Sequence, residues 1–230
     1  MSPSTPSSAS IRHIWWRDVP YSPAERLWDA VVHAIGIAVT VIAGGTLLVV
    51  ATAITAPEFA PAIALYVGAL ATVFVVSLIF NMTRVDSIKR LFARLDQAAI
   101  FLLIAGTYTP ILSVLTGTPI GNTMLAVVWG GALIGVALKL IVPHHFGRLA
   151  LLLYLAIGWS GITVFKTLSE ALPPSTLWLL LAGGTAYSFG IIFHVWERLR
   201  FHNVMWHCFV VLGASLHLWA VLDCMVLRRL

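Results

Sequence analysis

Seven apolar stretches constrain this chain more than anything else in it, at about 27–54, 60–82, 97–115, 122–142, 148–167, 175–195 and 205–227. Crossing the hydrocarbon core of a bilayer takes about 20 helical residues. Inside that core each backbone N–H and C=O must find its partner within the protein, which leaves helices or closed barrels. Runs this long and this evenly apolar select helices. Composition agrees: 10% of the 230 residues are charged, whereas soluble domains carry about 25%. The expected fold is therefore all-α, a multi-pass membrane bundle of seven transmembrane helices over residues 23–230. A Ser/Pro-rich segment at 1–22 precedes it, disordered or interfacial, without the basic-then-apolar build of a signal peptide. The length leaves no room for a second domain.

Local signals place the ends of the spans. Ser22, Pro23 and Glu25 form an N-cap, a first-turn proline and a capping box, and Ile14, Trp15 and Trp16 upstream are interfacial anchors. Pro173 and Pro174 break the chain before the sixth span, where Ser175 is placed to cap. Eleven Lys/Arg residues fall on the side that holds the N-terminus, Lys139 among them; the other side keeps Lys166, Arg228 and Arg229. The positive-inside rule then puts the N-terminus in the cytoplasm and, with seven spans, the C-terminus outside. The net charge of +5 is no nucleic-acid footprint, because the charges sit in loops and their distribution across the membrane matters more than their sum. Cys208 and Cys224 would stand roughly 24 Å apart on one helix, which excludes a disulfide between them. Gly131, Gly135, Gly183 and Gly184 lie inside apolar spans, where small residues let helices approach.

Alternating span directions sort the polar residues by depth. Asp29 and His33, Ser77 and Asn81, Asp96 and Gln97, His194, and Asn203 and His207 all fall at the inner end. They form a polar belt drawn from five helices. Ser77 and Asn81 are four residues apart, as are Asn203 and His207, so each pair shares a helix face. His202 and His207, five apart, diverge by about 140° and cannot hold one ion on a regular helix. Ionisable groups in membranes are functional candidates, although for Asp96 a carboxylate complementing a helix start is the plainer alternative. Polar residues that merely glue helices are the alternative for Ser77 and Asn81. His217 belongs to a deeper layer and suits structural hydrogen bonding. His144 and His145 read as a solvated inner loop, and Asp223 is expected to reach the headgroups.

Four segments resemble the hemolysin III proteins, which belong with the progestin and adipoQ receptors (PAQR). They are "ERLWDAVVHAIG", "RLFARLDQAAIFLLIAGTYTP", "GGTAYSFGIIF" and "VMWHCFVVLGASLHLWAV", in order from about residue 25 to 222. The resemblance implies a zinc site near the cytoplasmic face: Ser-x3-His ending the second helix, an Asp opening the third, and His-x3-His opening the seventh. In that pattern three histidines hold zinc and the Asp holds a water. Onto this chain it maps as Ser77-x3-Asn81, Asp96 and Asn203-x3-His207, so two of the three ligand histidines are asparagine. The implied metal positions are thus His207, Asn203 and Asn81, with Asp96 and Ser77 as the catalytic candidates. The Asp-His pair common in bacterial members is Asp96-Gln97 here. An amide oxygen is a far poorer zinc ligand than imidazole.

Three functions remain open at this level. A non-enzymatic sensor or membrane-homeostasis protein would use the belt as a hydrogen-bonded network. A zinc-dependent hydrolase of lipid amides, like the ceramidases of the wider superfamily, would use Asp96 and a metal-bound water. A pore-forming cytolysin is what the family name records, although no regular polar stripe lines the spans. The resemblance implies a bacterial inner (cytoplasmic) membrane protein whose partners are membrane lipids.

Overall fold

The computed structural model describes residues 21–55, 57–141 and 147–227; Ile14, Trp15, Trp16, His144 and His145 lie outside the described residues. No strand occurs among the described residues. Among the described residues seven helices are long and apolar enough to cross a bilayer: α1 (Pro23–Thr55), α2 (Pro57–Met82), α3 (Asp86–Ser113), α4 (Pro119–Ile141), α5 (Leu149–Ala171), α6 (Pro174–Val195) and α7 (His202–Leu227). They pack as a ring in chain order, closed where α1 meets α7. In α3 and α7 56% of the span is buried, more than in any other helix, so these two form the centre of the bundle. Its core is a continuous apolar cluster that includes Leu47, Tyr66, Phe101, Val128 and Met225.

The capping box at the start of α1 forms as expected. The Ser22 hydroxyl accepts the Glu25 N–H at 3.3 Å, and the Glu25 carboxylate accepts the Ser22 N–H at 2.8 Å. Gly36 lets α1 and α2 approach closely, because a Cβ there would lie 2.5 Å from the Phe74 ring. The fifth span is broken by a 3₁₀ segment at Ser160–Val164. The Tyr108 hydroxyl splices this break, donating to the Gly158 carbonyl at 2.7 Å and accepting the Gly161 N–H at 2.8 Å.

Four expectations are corrected. The third helix starts at Asp86, about three turns before the apolar run near 97. Its charged first turns are largely exposed, and the Lys89 ammonium lies 5.8 Å from the centroid of the Phe80 ring on α2. Asp96 therefore stands well inside α3, beyond the reach of the helix-start dipole. Lys139, counted with the inner-face charges, is buried (2% exposed), its ammonium donating to Gln97 Oε1 at 2.6 Å. Asp223 is buried rather than at the headgroups, because the start of α6 meets the end of α7. There the Ser175 and Thr176 hydroxyls both donate to its Oδ2 at 2.6 Å. Ser175 is thereby spent on Asp223 and does not cap α6, whose N-cap residue is Pro173.

A candidate metal centre at the polar end of the bundle

The belt residues of α1, α2 and α7 meet where those helices converge. On α1, Glu25, Asp29 and His33 follow one another at four-residue spacing, so they stand in one row along the helix. On α7, Asn203 and His207 share a face in the same way and present it to that row. Asp29 is the hub. Its Oδ1 accepts from His207 Nδ1 at 2.5 Å and from Asn203 Nδ2 at 3.3 Å, while its backbone carbonyl accepts from His33 Nδ1 at 2.7 Å. The His33 and His207 rings meet edge to face, with centroids 4.3 Å apart. Asp29, His33 and His207 are all buried.

Asp29 Oδ2 is buried and has no hydrogen-bond partner; His33 Nδ1 stands 3.6 Å from it. A carboxylate oxygen left unpaired in an apolar bundle is costly. Asp29, His33 and His207 can each offer one ligand atom within 4.8 Å of the other two, so the group could hold a metal ion. Two imidazoles and a carboxylate are an established zinc donor set. Both rings also use one nitrogen on an oxygen acceptor, as metal-binding histidines do to fix their orientation.

The positions marked by the family pattern fit a metal less well. Asn203 Nδ2 donates to Asn81 Oδ1 at 3.1 Å, and Asn81 Nδ2 donates to the Ser77 carbonyl at 2.9 Å. The two amides are thus engaged with each other and with α2. Of the residues singled out from the sequence, His207, Asn203, Asn81 and Ser77 come together, while Asp96 stands half-buried on α3. His202 turns away, its Nδ1 bonded to the Phe193 carbonyl at 3.2 Å, and Cys208 is exposed on the far side of α7. His194 packs on Trp206 at 5.1 Å, and His217 bonds the Leu180 carbonyl in the deeper layer. Sequence reasoning placed Asp29 and His33 in the belt but not among the metal positions. The four-residue spacing from Asp29 to His33, at the depth of His207, was the signal that could have found them.

Above Asp29 lies a small cavity of about 10 Å³, lined by Tyr21, Glu25, Arg26, Asn81, Phe201 and Asn203 among others. That is room for about one water-sized sphere.

The haemolysin-III related family matches residues 24–218. Hemolysin-3 of Bacillus cereus is 34% identical over 198 residues, which cover 86% of this chain and 90% of that protein. The hemolysin-3 homolog of Bacillus subtilis (strain 168) is 32% identical over 199 residues, 86% of this chain and 93% of its own. The human monocyte to macrophage differentiation factor is 24% identical over 163 residues, 68% and 67% of the two chains.

Proposed function

The chain belongs to the haemolysin-III related family, within the hemolysin III/PAQR group, and is an integral membrane protein of several spans. From that premise we propose that it is a metal-responsive membrane protein, non-enzymatic, in which a divalent cation clamps the start of α1 to α7. Zinc is the ion, and Asp29, His33 and His207 are its holders. The observation that carries this is the buried, unpartnered Asp29 Oδ2 set against two oriented imidazole rings. In this reading the metal has shifted by one helix from the positions the family pattern marks. The carboxylate of Asp29 takes over where Asn81 and Asn203 have become a hydrogen-bonded pair.

Bound there, zinc supplies a compact positive centre that joins side chains of two helices. The protein's own groups do the rest. Asn203 holds Asp29 from the α7 side, Asn81 holds Asn203, and Ser77 anchors Asn81 to α2. With the N-terminus in the cytoplasm, the site senses cations at the inner face of a bacterial cytoplasmic membrane, the surrounding lipids being its partners.

Hydrolysis of a lipid amide is the second reading, resting on Asp96 and Ser77 standing at the positions the family pattern marks. The cavity above Asp29 gives it no support, because neither Asp96 nor Ser77 lines that space. Amide hydrogen exchange with and without zinc tests the proposal, run beside an assay for amine release from an N-acyl sphingolipid. The expected result is slower exchange at the starts of α1 and α7 with zinc, and no amine. Zinc-dependent amine release would support the hydrolase instead, and unchanged exchange would remove the clamp. Dye release from liposomes carrying the protein would support the lytic activity that names the Bacillus relatives.

A further inference from the structure

We infer that Glu25 is the gate of the metal centre: its carboxylate holds the α6–α7 loop closed over the path by which a divalent cation reaches Asp29. The inference rests on the reading that Asp29, His33 and His207 hold a cation.

Glu25, Asp29 and His33 form a ladder on one face of α1, each step about 6 Å deeper than the last. Their exposures fall in the same order, 7%, 3% and 1%, so the ladder runs from the bundle end inward. The cavity above Asp29 lies along it, with Glu25, Tyr21 and Phe201 among its walls and Asp29 and Asn81 at its base. A cation entering by this route meets one carboxylate, then a second whose Oδ2 has no hydrogen-bond partner, then the imidazoles.

Glu25 also closes that path. Its Oε1 accepts the backbone N–H of Phe201 at 3.1 Å, 176 positions away in sequence, while Oε2 accepts the N–H of Ser22. One side chain therefore ties the start of α1 to the first residue before α7. Phe201 is the one non-glycine residue with positive φ among the described residues (φ 60°), and no side chain of its own caps α7. L residues enter the left-handed region at a cost, so the closed loop is held against a backbone preference. The Glu25 bond is what offsets it. Release of that bond lets Phe201 leave the left-handed region and opens the cavity.

A latch and a ligand differ in kinetics. Loss of a latch speeds entry and exit together and leaves affinity alone, whereas loss of a ligand weakens affinity through exit. The test is stopped-flow uptake of Co²⁺ by the full-length protein in detergent, followed by its visible absorption, with release measured into excess EDTA. The variants are Glu25→Gln and Phe201→Gly. Gln retains the capping box at the helix start, so α1 still begins correctly. Glu25→Gln is expected to raise both rates about tenfold, the factor corresponding to one weakened charge-assisted hydrogen bond, with Kd within about threefold of the parent. Phe201→Gly removes the backbone cost of closure and keeps the bond to Glu25, so both rates fall below the parent's. Parent-like rates in Glu25→Gln, or a weaker Kd with unchanged uptake, would overturn the gate while leaving the metal centre intact. A parent protein that takes up no Co²⁺ would overturn the metal centre and the gate with it.

Discussion

Replacing Asp29 with asparagine keeps the shape of the hub and removes its charge. The amide oxygen of the substituted side chain can still accept from Asn203, so the main loss is the charge-assisted bond to His207, 2.5 Å long between side chains 4% and 8% exposed. A hydrogen bond to a charged group contributes about 1.5–3 kcal/mol in a folded protein. Polar pairs between membrane helices average nearer ~0.6 kcal/mol and reach ~1.7, because the separated helices find other partners. A cost of about 1–2 kcal/mol sits between these bounds, and in a chain of this size each kcal/mol moves Tm by about 2–4 °C. In detergent with EDTA, Asp29→Asn should therefore melt about 2–8 °C below the parent by tryptophan fluorescence. Zinc separates the charge from the packing. At a hundredfold excess over Kd a ligand adds about 2.7 kcal/mol to the native state, a rise of about 5–10 °C in the parent. Asp29→Asn should lose that rise, having lost the anionic ligand. An undiminished zinc-dependent rise in Asp29→Asn would refute the reasoning, since the carboxylate would then not touch the ion.

Three further substitutions probe the surroundings. Asn81→His combined with Asn203→His rebuilds the three-imidazole pattern and should tighten zinc binding at least about tenfold by competition with a chromophoric chelator; unchanged affinity would mean that the mapping onto the family pattern is wrong. Gly183→Ala places a methyl group on the His217 ring and 3.2 Å from the Gly213 carbonyl, separating α6 from α7, and should cost about 1–3 kcal/mol in thermal denaturation. Tyr108→Phe removes both bonds across the break in α5, and the Gly161 amide should then exchange at least about tenfold faster with deuterium.

The sequence was most informative about depth. Alternating spans put Asp29, Ser77, Asn81, Asn203 and His207 at one level, and the structure joins Asp29, Asn81, Asn203 and His207 by hydrogen bonds there. Helical spacing also separated His202 from His207 correctly, because angles about a single helix axis follow from residue counting. The rotation of one helix against another does not follow from counting. The row Glu25–Asp29–His33 could be read along α1, but nothing in the sequence says that it faces α7 rather than lipid. Hydropathy misplaced charged side chains for a related reason. Lys139 and Asp223 read as surface groups because a linear profile cannot see the amide of Gln97 or the hydroxyls of Ser175 and Thr176 arriving from other helices. The early start of α3 was hidden by its basic residues, which are compatible with a helix but not with an apolar window.

The most direct test of the shifted metal centre is the zinc content of purified protein after equilibration with zinc and gel filtration, compared among the parent, Asp29→Ala and Asn81→Ala. An ion held by Asp29, His33 and His207 gives about one zinc per chain in the parent and in Asn81→Ala, and close to none in Asp29→Ala. Zinc retained by Asp29→Ala and lost from Asn81→Ala, or absent from the parent, would contradict it.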